Sequence, residues 1–65
     1  MNKIMIVRNR LSDGSHVYNL VLNQPFCTEY IIECPTLDAA EHIAKVMSEQ
    51  LDCPVTRSWE LGEAA

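Results

Sequence analysis

The chain of 65 residues has few of the residues that catalytic and structural motifs require. It contains only two glycines, which excludes a Gly-rich loop of the kind that cradles phosphate groups. Its three cysteines lack the closely spaced pairs of a structural zinc site. No apolar run approaches the roughly 20 residues of a membrane span. We therefore expect no cofactor, no metal and no membrane association.

The cysteines also bear on the cellular compartment. Cys27, Cys34 and Cys53 are odd in number and show no disulfide pattern. The apolar run of residues 4–7 is too short for the core of a secretory signal. Free thiols in a reducing, cytoplasmic setting are therefore expected.

Basic residues are scarce as well. The chain contains five lysines and arginines in total and nine acidic residues, which gives a formal net charge of −4. This balance disfavours nucleic acid and anionic lipid as partners. The length predicts one domain over residues 1–61, followed by a frayed tail at residues 62–65. Because a domain of this size buries only about 60% of its unfolded surface, we expect a homodimer to supply further burial.

A hairpin is the clearest local prediction. Asp13-Gly14 between two β-rich runs is typical of a two-residue turn. With that turn, Val7 faces Leu20 and Met5 faces Leu22 across the hairpin. The predicted core face is then Met5, Val7, Leu11, Tyr18, Leu20 and Leu22.

Strands and one helix account for the rest of the chain. Residues 28–34 alternate as a third strand, which places Tyr30 and Ile32 in the core and Glu29, Ile31 and Glu33 outside. Thr36 is the expected N-cap of a helix that ends near Cys53, before Pro54. An apolar stripe at helical spacing comprises Leu37, Ala40, Ile43, Ala44, Met47 and Leu51.

A short fourth strand is predicted within residues 55–61, with Trp59 covering one end of the core. The fold class is therefore α+β: an antiparallel sheet of three or four strands with one helix packed on one face, in the order β-β-β-α-β.

No group of residues indicates catalysis. Asp38 and His42 lie four residues apart on the predicted helix, and Cys34 lies just upstream, but a solvated helix face explains them better. A sheet with a single helix also has little room for a cleft that excludes water. The chain is not expected to be an enzyme.

Two surfaces are candidates for binding. A sheet with one helix leaves its second face uncovered, and exposed apolar patches mark interaction sites. The predicted interface on that face is Ile4, Ile6, Arg8, Arg10, Val17, Asn19, Val21 and Ile31. A second surface, acidic and on the helix, is Asp38, Glu41, Glu49 and Asp52, which could occupy the nucleic-acid groove of a target enzyme.

The functional prediction is a small acidic accessory protein that binds another protein as an inhibitor, adaptor or regulatory factor. Stand-alone acidic domains of this size are frequent among proteins of phages and mobile elements.

The order of elements over residues 4–51 carries a resemblance. Two strands, a tight Gly turn, a third strand and the helix start at residues 35–40 are similar to the arm-type DNA-binding domains of phage-like integrases. They are also similar to antitoxins with a reduced ribonuclease-H-like sheet. The first resemblance implies an alternative function, in which Arg8, Arg10 and Asn19 on the outer sheet face read DNA. Glu29 and Glu33 on that face would repel phosphate groups.

Overall fold

The computed structural model describes residues 2–60 of the chain. It contains the strands β1 (Lys3–Arg10), β2 (His16–Asn23) and β3 (Thr28–Cys34), the helix α1 (Leu37–Leu51) and the strand β4 (Val55–Arg57). A 3-10 turn, Ser58–Glu60, follows β4. The α+β class and the predicted order of elements are confirmed. Leu61 and the predicted tail at residues 62–65 lie outside the described residues.

The four strands form one sheet in the order β3-β2-β1-β4. β2 is antiparallel to both of its neighbours, whereas β4 runs parallel to β1. The sheet is therefore mixed, because α1 carries the chain from the end of β3 back to the start of β1. There Ile4 N–H donates to the carbonyl of Pro54 at 2.9 Å, and β4 begins beside it.

The predicted hairpin register is wrong by one residue. Arg10 pairs with His16 and Ile6 pairs with Leu20, so Val7 does not face Leu20. The cause is the loop. Leu11 N–H donates to the Ser15 carbonyl at 2.8 Å, which closes a three-residue loop instead of a two-residue turn.

Asp13 and Gly14 both serve this longer loop. Gly14 has φ +91°, which completes a turn begun at Leu11. The Asp13 carboxylate accepts hydrogen bonds from the hydroxyl and the N–H of Ser15, at 2.6 and 2.9 Å. The same two hydrogen bonds lower the pKa of Asp13.

The change of register reverses the two faces of β1. Ile4 and Ile6, predicted on the outer face, are 0% exposed and form the core with Leu20. Met5 and Val7, predicted in the core, lie on the opposite face because side chains alternate along a strand. The assignment of β2 is correct, since Tyr18, Leu20 and Leu22 pack in or against the core.

A β-bulge changes the prediction for β3. Leu20 pairs with Ile32 while Val21 pairs with Tyr30, so Ile31 is the extra residue on β3. Ile31, predicted outside, packs against the core, whereas Tyr30 and Ile32, predicted inside, are 61% and 41% exposed. The alternation expected from the sequence fails at the bulge.

Both ends of α1 have caps. The Thr36 hydroxyl accepts from Ala39 N–H at 3.2 Å, which confirms the predicted N-cap. Asp52 adopts the left-handed conformation at the C-terminal end, with φ 54°. Ala40 and Ala44 are buried, and Ile43 and Met47 pack against the core. Leu51, the last residue of the predicted stripe, is exposed.

Trp59 closes the end of the core that α1 leaves open. It packs against the core cluster, as predicted, although it lies in the 3-10 turn and not in a strand. Its ring meets Tyr18 edge to face at a centroid distance of 6.1 Å. The Arg8 guanidinium lies 5.1 Å from the Trp59 ring centroid, which is within cation–π range.

Candidate protein-binding surface

The sheet has one face that α1 does not cover, here called the outer face. The strand register places five large apolar side chains on it: Met5, Val7, Val17, Val21 and Tyr30. Neighbouring side chains in the sheet half-bury the four aliphatic residues, while Tyr30 is largely exposed. Met5, Val21 and Tyr30 form a row across the three long strands, and Val7 and Val17 are diagonal neighbours on β1 and β2.

The polar residues of the outer face are mainly uncharged. Asn9, Asn19 and Asn23 alternate with the apolar residues, and Thr56 lies on β4. Among the described strand residues only Lys3 and Glu33 bring charge to this face, one near the start of β1 and one on the edge strand β3. The net charge of −4 therefore falls elsewhere on the molecule. A protein partner can cover this mixture of apolar and amide side chains without burying unpaired charge.

The predicted interface residues separate into two groups. Val17, Asn19 and Val21 lie on the outer face, as predicted. The remaining five lie on the helix side of the sheet: Ile4, Ile6, Arg8, Arg10 and Ile31. Ile4 and Ile6 are in the core and cannot contact a partner. The reversed face of β1 and the bulge in β3 account for all five corrections.

Met5, Val7 and Tyr30 are the surface residues that the sequence analysis missed. For β1, the sequence does contain a feature compatible with the correct face. Asp-Gly can occupy a three-residue loop as well as a two-residue turn, and the longer loop places Ile4 and Ile6 opposite Leu22 and Leu20. No comparable signal marks the bulge that exposes Tyr30.

The arrangement required by the DNA-binding alternative is not present. Arg8 and Arg10 lie on the helix side, whereas Asn19 lies on the outer face. Arg8 also has contacts within the protein. Its side chain stacks on Trp59, and its backbone N–H donates to the Ser58 hydroxyl at 3.3 Å. These three residues cannot contact one duplex through the same sheet face.

The acidic residues of α1 differ in their surroundings. Glu41 is bound by Arg57, whose Nε donates to Glu41 Oε2 at 2.5 Å while Nη2 donates to Oε1. Hydrogen bonding to Arg57 lowers the pKa of Glu41. Asp38 and Glu49 are exposed, and Asp52 is the C-cap. Glu41 is therefore a structural partner of β4 and not a free charge on the helix.

An open groove of about 450 Å³ lies between α1 and β4. The groove is lined by Glu41, His42, Lys45, Ser48, Glu49, Val55 and Arg57. The Cys34 thiol is buried under the helix and does not line the groove, whereas His42 is exposed. Cys34, Asp38 and His42 therefore do not meet in a shared site.

The described part of the chain holds no cluster of three or more potential metal-binding side chains. Within residues 2–60, no helix is both long and apolar enough to cross a membrane. Comparison with protein-family models, curated proteins and solved structures finds no match for this chain.

Proposed function

We propose that this protein is a non-catalytic binding protein that acts as a homodimer, in which two copies pack their outer faces together. The observation that carries the proposal is the apolar patch of Met5, Val7, Val17, Val21 and Tyr30 on a sheet face that no described element covers. Exposed apolar patches with polar rims are typical of protein interfaces.

The chemistry of the patch favours a second copy as the occupant. A two-fold interface places the same patch on both sides, so the patch must be complementary to itself. Side-chain amides satisfy this requirement because each one both donates and accepts hydrogen bonds. Asn9 and Asn19 can therefore pair across a two-fold axis beside the valines, and no cluster of like charges is brought together.

The size of the face sets the expected strength of the dimer. With strands about 4.8 Å apart and a rise of about 3.3 Å per residue, the three long strands span roughly 350 Å² of plane. Protruding side chains enlarge the contact area, which nevertheless stays near the lower end of specific interfaces, about 1,000 Å² in total. We therefore expect a dimer that dissociates on dilution through the micromolar range.

The same proposal includes an accessory role as an inhibitor, adaptor or regulatory factor in the cytoplasm. The free state of Cys27, Cys34 and Cys53 supports a reducing compartment. In the groove, Arg57 binds the Glu41 carboxylate and the Ser48 hydroxyl donates to the Cys53 carbonyl, and these structural roles support a role without catalysis.

Sedimentation equilibrium with matched aspartate variants tests the dimer. Val21→Asp places a charge in the centre of the outer face, whereas Val46→Asp places the same charge on the exposed surface of α1, where Val46 is 38% exposed. The wild-type protein and Val46→Asp should sediment as dimers, and Val21→Asp should sediment as a monomer.

Folding of each variant is checked by circular dichroism and by the fluorescence of Trp59. If Val21→Asp does not fold, Tyr30→Glu replaces it, because Tyr30 is 61% exposed and contributes little to the core. A monomeric wild-type protein at high concentration would contradict the proposal. So would folded variants of the outer face that retain the dimeric mass.

A further inference from the structure

The second feature of the sheet is the open edge of β3. β3 pairs with β2 on one side, and on its other side no strand of the described residues is present. The N–H and C=O groups along a free edge are a template for another strand. The opposite edge, β4, has only three residues and leads at once into a 3-10 turn. β3, with seven residues, is therefore the longer open edge.

The side chains along this edge are acidic and apolar. Glu33 pairs with Asn19 and lies on the outer face, whereas Glu29 pairs with Leu22 and lies on the helix side. Both glutamates are exposed, and neither forms an ion pair within the described residues. Tyr30 and Ile32 lie between them, 61% and 41% exposed. β3 itself carries no basic residue.

This charge pattern argues against a second copy as the occupant of the edge. A second β3 strand carries two glutamates and no basic residue, so it offers neither Glu29 nor Glu33 a positive charge. Parallel pairing in register places each glutamate beside its own counterpart. Like charges opposite each other destabilise a strand pair.

We propose that the β3 edge binds an extended segment of another protein that carries a basic and an apolar side chain on each of its two faces, because Glu29 and Ile32 lie on the helix side while Tyr30 and Glu33 lie on the outer face. Lysines or arginines would lie beside Glu29 and Glu33, and apolar side chains would pack on Tyr30 and Ile32. The partner's backbone would continue the sheet. Tyr30 belongs to both surfaces, but the backbone groups and the two glutamates of the edge are not part of the apolar patch, so this inference does not depend on the dimer.

The test uses a defined probe, a blocked eight-residue peptide with the repeat Lys-Lys-Val-Val, which places lysine and valine on both faces of an extended strand, titrated into the ¹⁵N-labelled full chain. Binding should shift the amide resonances of residues 28–34 and slow the exchange of amides that point away from β2. The same peptide with alternate amides methylated should not bind, because it cannot complete the strand ladder. A peptide with glutamate in place of lysine should bind more weakly.

Two double variants distinguish binding at the β3 edge from non-specific attraction of the basic peptide to an acidic protein. Glu29→Gln/Glu33→Gln should weaken binding about three- to tenfold, as expected for loss of two cross-strand charge pairs. Glu49→Gln/Asp52→Asn changes the net charge by the same amount on α1 and should weaken binding by less than about twofold, since these charges lie away from the edge. The edge variant should keep the dimeric mass, which separates failure of this inference from failure of the dimer.

Four results would overturn the inference. They are equal weakening by the two variants, binding of the methylated peptide, resonance shifts confined to α1 or β4, and no binding at millimolar peptide. In the last case the glutamates and the bulge would serve only to keep the edge from pairing with any strand.

Discussion

At the scale of single residues, the contact between Glu41 and Arg57 joins α1 to β4. Arg57 holds both oxygens of the Glu41 carboxylate, and its Nη1 also lies 3.6 Å from Glu60. Both partners of the Glu41 pair are about one-third exposed, so solvent reduces its strength. A two-point contact still fixes geometry better than a single ionic contact does.

Replacing Glu41 tests this contact. Glu41→Gln should lower the free energy of unfolding at pH 7 by about 0.5–1 kcal/mol, because Arg57 loses its charged partner. Glu49→Gln is the matched control on the same helix and should have almost no effect. Urea denaturation followed by Trp59 fluorescence measures both variants, and equal stabilities would contradict the structural role of Glu41.

The difference in stability between the wild-type protein and Glu41→Gln should depend on pH in a defined direction. The pKa of Glu41 is lowered from its ordinary value of 4.5 in the folded protein, because Arg57 binds the carboxylate. The stabilisation is therefore complete above pH 4.5 and is lost as the pH falls through the folded-state pKa. The wild-type protein and Glu41→Gln should approach equal stability in acid, and a gap that widens there would be inconsistent with this pairing.

Arg8 and Trp59 provide a second prediction at this scale. Their stacking distance of 5.1 Å predicts a coupling free energy of about 0.5–1 kcal/mol. A double-mutant cycle with Arg8→Met and Trp59→Leu measures it, with circular dichroism as the probe of unfolding because Trp59 is replaced. Additive effects of the two substitutions would show that the stacking contributes nothing.

At the scale of elements, the sequence predicts the existence of each strand and helix better than it predicts their faces. The helix start at Thr36 is predictable because its N-cap chemistry is local. The face of β1 is not, because Asp13-Gly14 is compatible with two loop lengths that differ by one residue in register. Both registers give β1 an apolar face, one with Ile4 and Ile6 and the other with Met5 and Val7. The packing of Ala40 and Ala44 against Ile4 and Ile6 accompanies the register that the structure adopts.

Adjacent residues of β1 give a direct test of the register. Ile6→Ala should cost about 2–4 kcal/mol of stability, because Ile6 is 0% exposed and its loss leaves a cavity. Val7→Ala should cost about 1 kcal/mol or less in the monomer, since Val7 lies on the outer face. Denaturation of both variants at low protein concentration shows which one loses more stability. A larger loss of stability for Val7→Ala than for Ile6→Ala would contradict the register.

At the scale of the whole molecule, the chain is small for a stable single domain and is built as two layers with one sheet face uncovered. The uncovered face is predictable from the number of elements alone, because one helix cannot cover both sides of a sheet. Its composition is predictable for Val17, Asn19 and Val21, which follow simple alternation. It is not predictable for Tyr30, because the bulge at Ile31 depends on how β3 fits against β2.

Assembly through the outer face also predicts a dependence of stability on concentration. Above the dissociation constant, unfolding of a dimer to two chains should become harder by about 1.4 kcal/mol of dimer for each tenfold rise in concentration. Urea denaturation of the wild-type protein at several concentrations measures this effect. Val21→Asp should show the same stability at every concentration.

The most direct test of the outer face as an interface is an isotope-filtered NOE experiment on a mixture of ¹³C-labelled and unlabelled protein. It detects only contacts between two copies. The homodimer predicts intermolecular NOEs at the methyl groups of Met5, Val7, Val17 and Val21, and none at Val46 on α1. Intermolecular NOEs at α1 with none on the outer face, or a chain that remains a monomer of 7.4 kDa, would contradict it.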